Sequence, residues 1–474
     1  MNPDGLITLL FGNVAGRVAR NSNGRLTFNY DDAWRESEDV ATTPRPLSLS
    51  MPLAAAEHGH RRIEAYLWGL LPDSAPILEQ WARRFHVSPR SPFALIAHVG
   101  EDCAGAVQFV RAERLEEVRG SGPGKVEWLD DAGVAARLRA LREDPSAWRV
   151  QKDTGQFSLA GAQPKTALLF HDGRWGVPQG RMPTTHILKP PSRDFDGHVE
   201  NEHFCLTLAR SLGLPAATSE VRRFEKELAI VVERYDRIST ATMASAAAAE
   251  SAALAARTMG TPDVARRAAE AAARAISLAA LARSQPILRL HQEDVCQALG
   301  ILPSARYQSE GGPGPASIVE LLRTYSSRPT EDVSTFIDAL ALNWLIAGTD
   351  GHAKNFSLLH GGGGRVRLAP LYDLASALPY KNLDQERLKL AMKIGDKYRL
   401  RHIARHDWER LADQLAIPEE EVVMRVASMA SRMPDAVQDA RKQMANEGLE
   451  HPILARLAAS LVQRAKQCSQ ALAP

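Results

Sequence analysis

Short apolar runs broken by turn residues open the chain. Over Gly5–Tyr30 the breaks fall at Gly12-Asn13, Gly16 and Asn21-Ser22-Asn23-Gly24, which predicts a small antiparallel meander. Helical spacing follows near Ile63–Val87 and over Pro92–Val99, and Ala104–Val110 reads as a further strand. Residues 1–112 are therefore expected to form a small α+β subdomain. A charged stretch with the Gly120–Gly124 cluster and one helical segment follows, placing a linker at 113–152.

The pattern then turns strand-rich. Thr166–Phe170 and Trp175–Val177 flank His171-Asp172-Gly173-Arg174, and Asp-Gly is a strong hairpin signal. Thr185–Lys189 and Ala229–Val232 read as two more strands, separated by a helix over Asn201–Leu212 that Gly213 and Pro215 close. Residues 153–238 form the expected small lobe. Ser239–Ser284 is dominated by alanine and arginine, strong helix formers, so surface helices broken at Gly260-Thr261-Pro262 are predicted. This is read as a tolerated insertion, with a docking arm for a partner as the alternative. Residues 285–474 are mostly of helical pattern.

Composition narrows the class little: 45% hydrophobic and 24% charged residues with a net charge of +2 describe an ordinary globular protein without a strong field toward nucleic acid or membrane. Cys103, Cys205, Cys296 and Cys468 are far apart, so neither a zinc site nor a disulfide framework is indicated. The apolar run Leu6–Phe11 is too short for a signal-peptide core, and a cytoplasmic location is expected.

The chemistry lies in one spacing. Asp350-Gly351-His352-Ala353-Lys354-Asn355 puts an asparagine five residues after an aspartate, the spacing of the protein-kinase catalytic loop. There the aspartate accepts the attacking hydroxyl's proton and the asparagine reaches Mg²⁺. Phe356–Leu359, the Gly361–Gly364 turn and Val366–Leu368 form a hairpin leading to Asp373, a second candidate Mg²⁺ ligand. Upstream, Lys189 ends a strand and is placed to pair with ATP phosphates, with Glu200 or, preferably, Glu202 as its ion-pair partner. The small-residue run Ser158–Lys165 suits a turn whose N–H groups cradle phosphate, although it is neither G-x-G-x-x-G nor a Walker loop. Ala229–Val232 running into Glu233-Arg234-Tyr235-Asp236 fits a hinge whose backbone bonds adenine. The expected architecture is α+β: a bilobal protein-kinase-like fold with a β-rich N-lobe, a helical C-lobe and the small N-terminal subdomain.

These segments resemble the HipA kinases, toxins of bacterial type II toxin–antitoxin pairs. SLAGAQPKTALL, THILKPP, VENEHFCLTLARSLGLP, VVERYDR, RLHQEDVCQALG, YQSEGGPG, NWLIAGTDGHAKNFSLL, LAPLYDLASA and LAMKIGDKYRLR occur in the family's order, and RPLSLSMPL, LLPDSA and GEDCAGAV are similar to its N-terminal subdomain. The resemblance implies that Asp350 is the catalytic base, that Asn355 and Asp373 hold Mg²⁺, and that Lys189 contacts ATP phosphates. It implies a mobile phosphate loop of Ala160, Gly161, Ala162, Gln163, Pro164 and Lys165, an adenine pocket with Glu233 and Tyr235, and further contacts from His352 and Lys354. Ser158 matches the serine that such kinases autophosphorylate to eject the phosphate loop. The implied partner is a HipB-like helix-turn-helix antitoxin, through which the pair reaches DNA as a repressor. The implied target is an aminoacyl-tRNA synthetase, typically the glutamyl enzyme, whose loss produces dormant cells.

Two features depart from the family pattern: the Ser239–Ser284 stretch, and Pro164, which restricts the phosphate loop. Two rival functions stand beside the protein kinase: a kinase-shaped co-repressor without activity, and a small-molecule or lipid kinase on the same core.

Overall fold

The computed structural model describes residues 5–37, 44–120, 124–144, 158–256, 262–284 and 286–473. The N-terminal subdomain is built on a five-stranded sheet of β1 (Gly5–Leu10), β2 (Asn13–Arg20), β3 (Leu26–Tyr30), β4 (Glu57–Gly59) and β5 (Val107–Val110), in the order β4-β3-β2-β1-β5. The predicted meander is present as β1–β3, antiparallel throughout. The helical pattern near Ile63–Val87 resolves into two helices, His60–Gly69 and Ala75–Phe85. Pro72 lacks the N–H that would continue the first helix and disfavours its interior, and residues 70–74 form a turn between them.

The small lobe carries a six-stranded antiparallel sheet of β6 (Lys125–Leu129), β7 (Thr166–His171), β8 (Arg174–Gln179), β9 (His186–Lys189), β10 (Ser219–Phe224) and β11 (Glu227–Glu233), ordered β10-β11-β9-β7-β8-β6. The β7–β8 turn has Asp172 and Gly173 both at positive φ, 49° and 73°, as a two-residue hairpin of this hand requires. The expected linker is corrected here. Its residues 124–144 supply β6, which pairs with β8, and helix Asp131–Glu143, which buries Val134, Ala135 and Leu138 among Trp175, Phe224 and Val231. The charge of the segment hid an apolar stripe worth about 1.5–3 kcal/mol per buried aliphatic side chain. Residues 121–123 and 145–152 lie outside the described residues.

The alanine-rich stretch forms helices Thr240–Ala256 and Pro262–Ser284; Gly260 and Thr261 of the expected break lie outside the described residues. The excursion leaves through β12 (Arg237–Ser239) and returns through β13 (Ile287–Arg289), which pair antiparallel with Ser239 opposite Ile287. Its two ends are thus held together by the sheet, and the core is not opened by what lies between them.

The large lobe gathers helices Pro315–Tyr325, Pro329–Ile346, Arg405–Gln414, Glu419–Asn446 and Pro452–Ala471 around one core. Helix His198–Ser211, between β9 and β10 in sequence, buries Phe204, Leu206 and Leu208 in that same core. It therefore ties the lobes together. Among the described residues no helix is long and apolar enough to cross a membrane.

Candidate active site

A cavity of about 700 Å³ lies between the lobes. Its floor and roof come from the elements just described. β9 ends at Lys189, whose Nζ donates to Glu202 Oε1 at 2.7 Å and also to Asp373 Oδ1. Lys189 and Glu202 are buried, with side chains 6% and 2% exposed. Glu202, preferred over Glu200 from sequence, is the partner the fold selects. Asp373 arrives from the large lobe: Leu371 donates its N–H to Pro215 O and its carbonyl accepts from Ala217 N, both at 2.8 Å, which ties the segment to the chain that follows helix His198–Ser211. Asp373 stands at φ +57°, a left-handed conformation that a non-glycine residue holds only at a cost of about 1–3 kcal/mol. Burial opposes its ionisation, but the ammonium groups of Lys189 and Lys165 hold the carboxyl well below the usual range. It is an anion at every working pH.

The run Ala160–Lys165 folds back over the cavity as a loop before β7. Gly161 takes φ +103°, a backbone conformation that favours glycine, and a Cβ there would also push the Lys165 ammonium aside. Lys165 is nearly enclosed; its Nζ donates to Ala160 O at 2.7 Å. Burial pulls its pKa down to about 8, with Asp373 resisting and Lys189 assisting the shift. Ala162 and Gln163 line the same cavity. Ser158 does not: it is fully buried, and its hydroxyl donates to Leu70 O at 2.7 Å.

Helix Pro329–Ile346 starts with proline and two first-turn acids, and ends at Ala347 in the left-handed region. It releases the chain directly into the predicted catalytic loop. Gly348 and Gly351 pass so close to the Asn343 side chain that a Cβ at either would collide with it. Asp350 projects into the cavity mouth with its side chain 67% exposed. The Asn355 amide donates to Asp350 O at 2.8 Å, closing the loop on itself. His352 lies under the loop, its Nε2 3.8 Å from Asp350 Oδ1, and its buried Nδ1 has no protein partner. Burial lowers the His352 pKa, so the ring is neutral near pH 7.

Two residues that the motif reading did not single out enter the site. Tyr307, from the segment YQSEGGPG, donates its hydroxyl to Asp350 Oδ1. Its ring meets that of His352 edge-on at 4.8 Å. Asp73, from the 70–74 turn, grips Lys354 Nζ with both oxygens, at 2.6 and 2.8 Å. Lys354 is thus paired inside the protein. No local spacing could have signalled either contact, because the partners lie 43 and 281 residues apart.

At the hinge, Glu233 is exposed on the cavity edge and its N–H bonds Thr218 O at 2.9 Å. Tyr235 lines the wall, its hydroxyl donating to Gln292 Oε1 at 2.5 Å. Behind them lies a buried charge network. Asp102 accepts from Arg237 at 2.9 Å, Arg289 at 3.0 Å and the Thr184 hydroxyl at 2.7 Å. Asp236 accepts from Arg234 at 2.9 Å and from Gly105 N at 2.6 Å. The N-terminal subdomain is therefore bolted to the hinge by ion pairs. The cavity brings together the sequence-predicted residues except Ser158 and the alternative Glu200.

The donor set suits a magnesium nucleotide. Mg²⁺ needs only one or two protein oxygens besides phosphate and water, and the Asp373 carboxylate and the Asn355 carbonyl oxygen line one cavity. Among the described residues there is no cluster of three or more acidic, histidine or cysteine ligands that would hold a metal alone. Gln163 Nε2 and Glu202 Oε2 are buried there without a protein partner.

Fold and cleft define a protein of the bilobal kinase-like class. The HipA N-terminal domain model matches residues 6–110 and the HipA-like C-terminal domain model matches residues 157–437. The chain belongs to the HipA family. It is 32% identical over 456 residues to a putative kinase, Y4mE, of Sinorhizobium fredii, covering 96% of each chain. It is 27% identical over 404 residues to the serine/threonine-protein kinase toxin HipA of Shewanella oneidensis, covering 83% of this chain and 80% of that one. The solved Shewanella oneidensis HipA, in complex with HipB and operator DNA, superposes with a TM-score of 0.75 at 23% identity, covering 98% of each chain.

Proposed function

We propose that this chain is an ATP- and Mg²⁺-dependent serine/threonine protein kinase acting as the toxin of a toxin–antitoxin pair. The observation that carries the reading is Lys189, bonded at once to Glu202 of the lobe-spanning helix and to Asp373 of the large lobe, across the cavity that Asp350 enters. An ammonium so placed, with Lys165 beside it, offsets the charge of nucleotide phosphates. Bound Mg²⁺ supplies charge neutralisation on those phosphates, with Asp373 and Asn355 as its protein ligands. The Asp350 carboxylate orients the acceptor hydroxyl and takes its proton. The acceptor oxygen then forms the bond to the γ-phosphorus while the bond to the ADP oxygen breaks, and ADP leaves. Catalysis is mainly positioning and electrostatics.

The wider reading rests on the family. The Shewanella relative was solved with HipB on operator DNA, and we assign this chain a HipB-like antitoxin, with DNA contacted through it as co-repressor. The acceptor class is a protein serine or threonine, by resemblance on an aminoacyl-tRNA synthetase such as the glutamyl enzyme. Ser158 is assigned as the autophosphorylated serine; its hydroxyl must leave Leu70 O before it can react.

The test is incubation of the purified chain with γ-labelled ATP, Mg²⁺ and cell extract. A labelled protein band absent with Asp350→Ala is expected. Label confined to metabolites or lipids would favour a small-molecule kinase, and no label on any acceptor would favour an inactive co-repressor.

A further inference from the structure

The N-terminal subdomain reaches the nucleotide cavity through one turn, and that turn touches both loops that close over it. Leu70 O accepts the Ser158 hydroxyl at 2.7 Å, at the start of the phosphate loop. Pro72 pairs with Gly161 in a parallel bridge, and Asp73 N donates to Gly161 O at 3.1 Å, at the loop's crest. The Asp73 carboxylate then holds Lys354 of the catalytic loop, with side chains only 8% and 3% exposed. One residue thus bonds the small-lobe loop by its main chain and the large-lobe loop by its side chain. Just before the turn, Gly69 packs so tightly on Gln297 that a Cβ there would stand 2.6 Å from its side chain.

From this geometry we infer that Asp73 is a positioning residue of the nucleotide site, registering the phosphate loop against the catalytic loop. The inference rests on the nucleotide-binding reading of the cavity. Asp73 touches no reacting atom in this scheme. Its carboxylate fixes Lys354 and, with it, its own main chain; that main chain sets the height of Gly161 above the phosphates. Without the negative charge, Lys354 still interacts with the Asp294 carboxyl, also buried in the cavity wall. The lysine then turns away from the turn, and Gly161 loses its anchor. The N-terminal subdomain is on this account part of the catalytic unit.

The test is a double-mutant cycle on the full chain, reading ATP affinity by calorimetry and ATP KM and kcat by phosphotransfer. Asp73→Asn preserves shape and the backbone donor. It is expected to weaken ATP binding roughly tenfold, with a smaller effect on kcat, and to lower the unfolding temperature because it strips one partner from a buried pair. On a Lys354→Met background the same change should add almost nothing, because the partner is already gone. Asp73→Glu, which keeps the charge, should recover part of the affinity; if Asp73→Asn fails to fold, Asp73→Glu on the two backgrounds carries the comparison. Hydrogen exchange of residues 158–165 should be faster in Asp73→Asn. Equal ATP affinity in the variant and the original chain, losses that multiply on the Lys354→Met background, or unchanged loop exchange would each overturn the inference. Failure of the original chain to bind ATP at all would instead remove the nucleotide reading on which it stands.

Discussion

Lys189 Nζ lies 2.7 Å from Glu202 Oε1 while also bonding Asp373, so one small-lobe ammonium is shared by the buried Glu202 carboxylate and the cavity-lining, half-buried Asp373 from a different part of the fold. Removing it leaves Glu202 without its ammonium and Asp373 with that of Lys165. Lys189→Met should lower phosphotransfer at least a hundredfold and destabilise the fold by about 3–5 kcal/mol, the scale for stripping one partner from a buried pair. Lys189→Arg should not restore activity, since a planar guanidinium cannot occupy the ammonium's point position. Denaturant unfolding and labelled-ATP assays read the two effects separately. A Met variant as stable as the original chain would show that the pair is not compensating charge.

Tyr307 holds one oxygen of Asp350, leaving the other for an acceptor hydroxyl. Burial and the bond to Asp350 push the Tyr307 pKa up to about 12, so the phenol remains a donor across the working range. Tyr307→Phe should lower kcat about tenfold while ATP KM stays constant, because only the aim of the base is lost. A rise in kcat would mean that the phenol competes with the acceptor.

The Asp102 network fixes the N-terminal subdomain to the hinge through Arg234, Arg237 and Arg289, whose side chains are 3%, 1% and 7% exposed. Asp102→Ala strands buried guanidinium groups and should cost about 3–5 kcal/mol by denaturant unfolding. A loss under about 1 kcal/mol would show that water or Asp236 compensates.

Asp294 caps helix Val295–Leu299 with its side chain and lies fully inside the protein. Burial pushes its carboxyl up to about 7, against the pull of Lys354 and the Gln297 amide. The unfolded chain loses this proton near pH 4, the folded one near 7, so between those values the folded state holds more protons. Stability from this group is therefore present below about pH 4 and lost as pH rises through about 7. Asparagine caps equally well. Asp294→Asn should raise the unfolding temperature relative to the original chain more at pH 8 than at pH 5. Equal differences at both pH values would contradict the assignment.

The elements that line the cavity were legible because each is local. The aspartate–asparagine spacing, the β7–β8 turn at Asp172-Gly173 and the strand ending in Lys189 are all encoded within about a dozen residues. Glu202 was reachable because it lies on the next helix. Asp73 and Tyr307 were not, since each acts on a loop brought near only by tertiary packing. The 124–144 segment was read as a linker with one helix for a different reason: most of its charges lie on the outer face of that helix, whose buried residues are Val134, Ala135, Arg137, Leu138 and Leu141. Pro72 was the available signal for the break that positions Asp73.

The most direct measurement is a crystal structure of this chain with a non-hydrolysable ATP analogue and Mg²⁺. The account predicts triphosphate under Gly161, phosphate oxygens on Lys189, a metal on Asp373 and Asn355, and the Asp350 carboxylate facing the γ-phosphate. Nucleotide bound elsewhere, or a metal that leaves Asp373 paired only with Lys189, would contradict it.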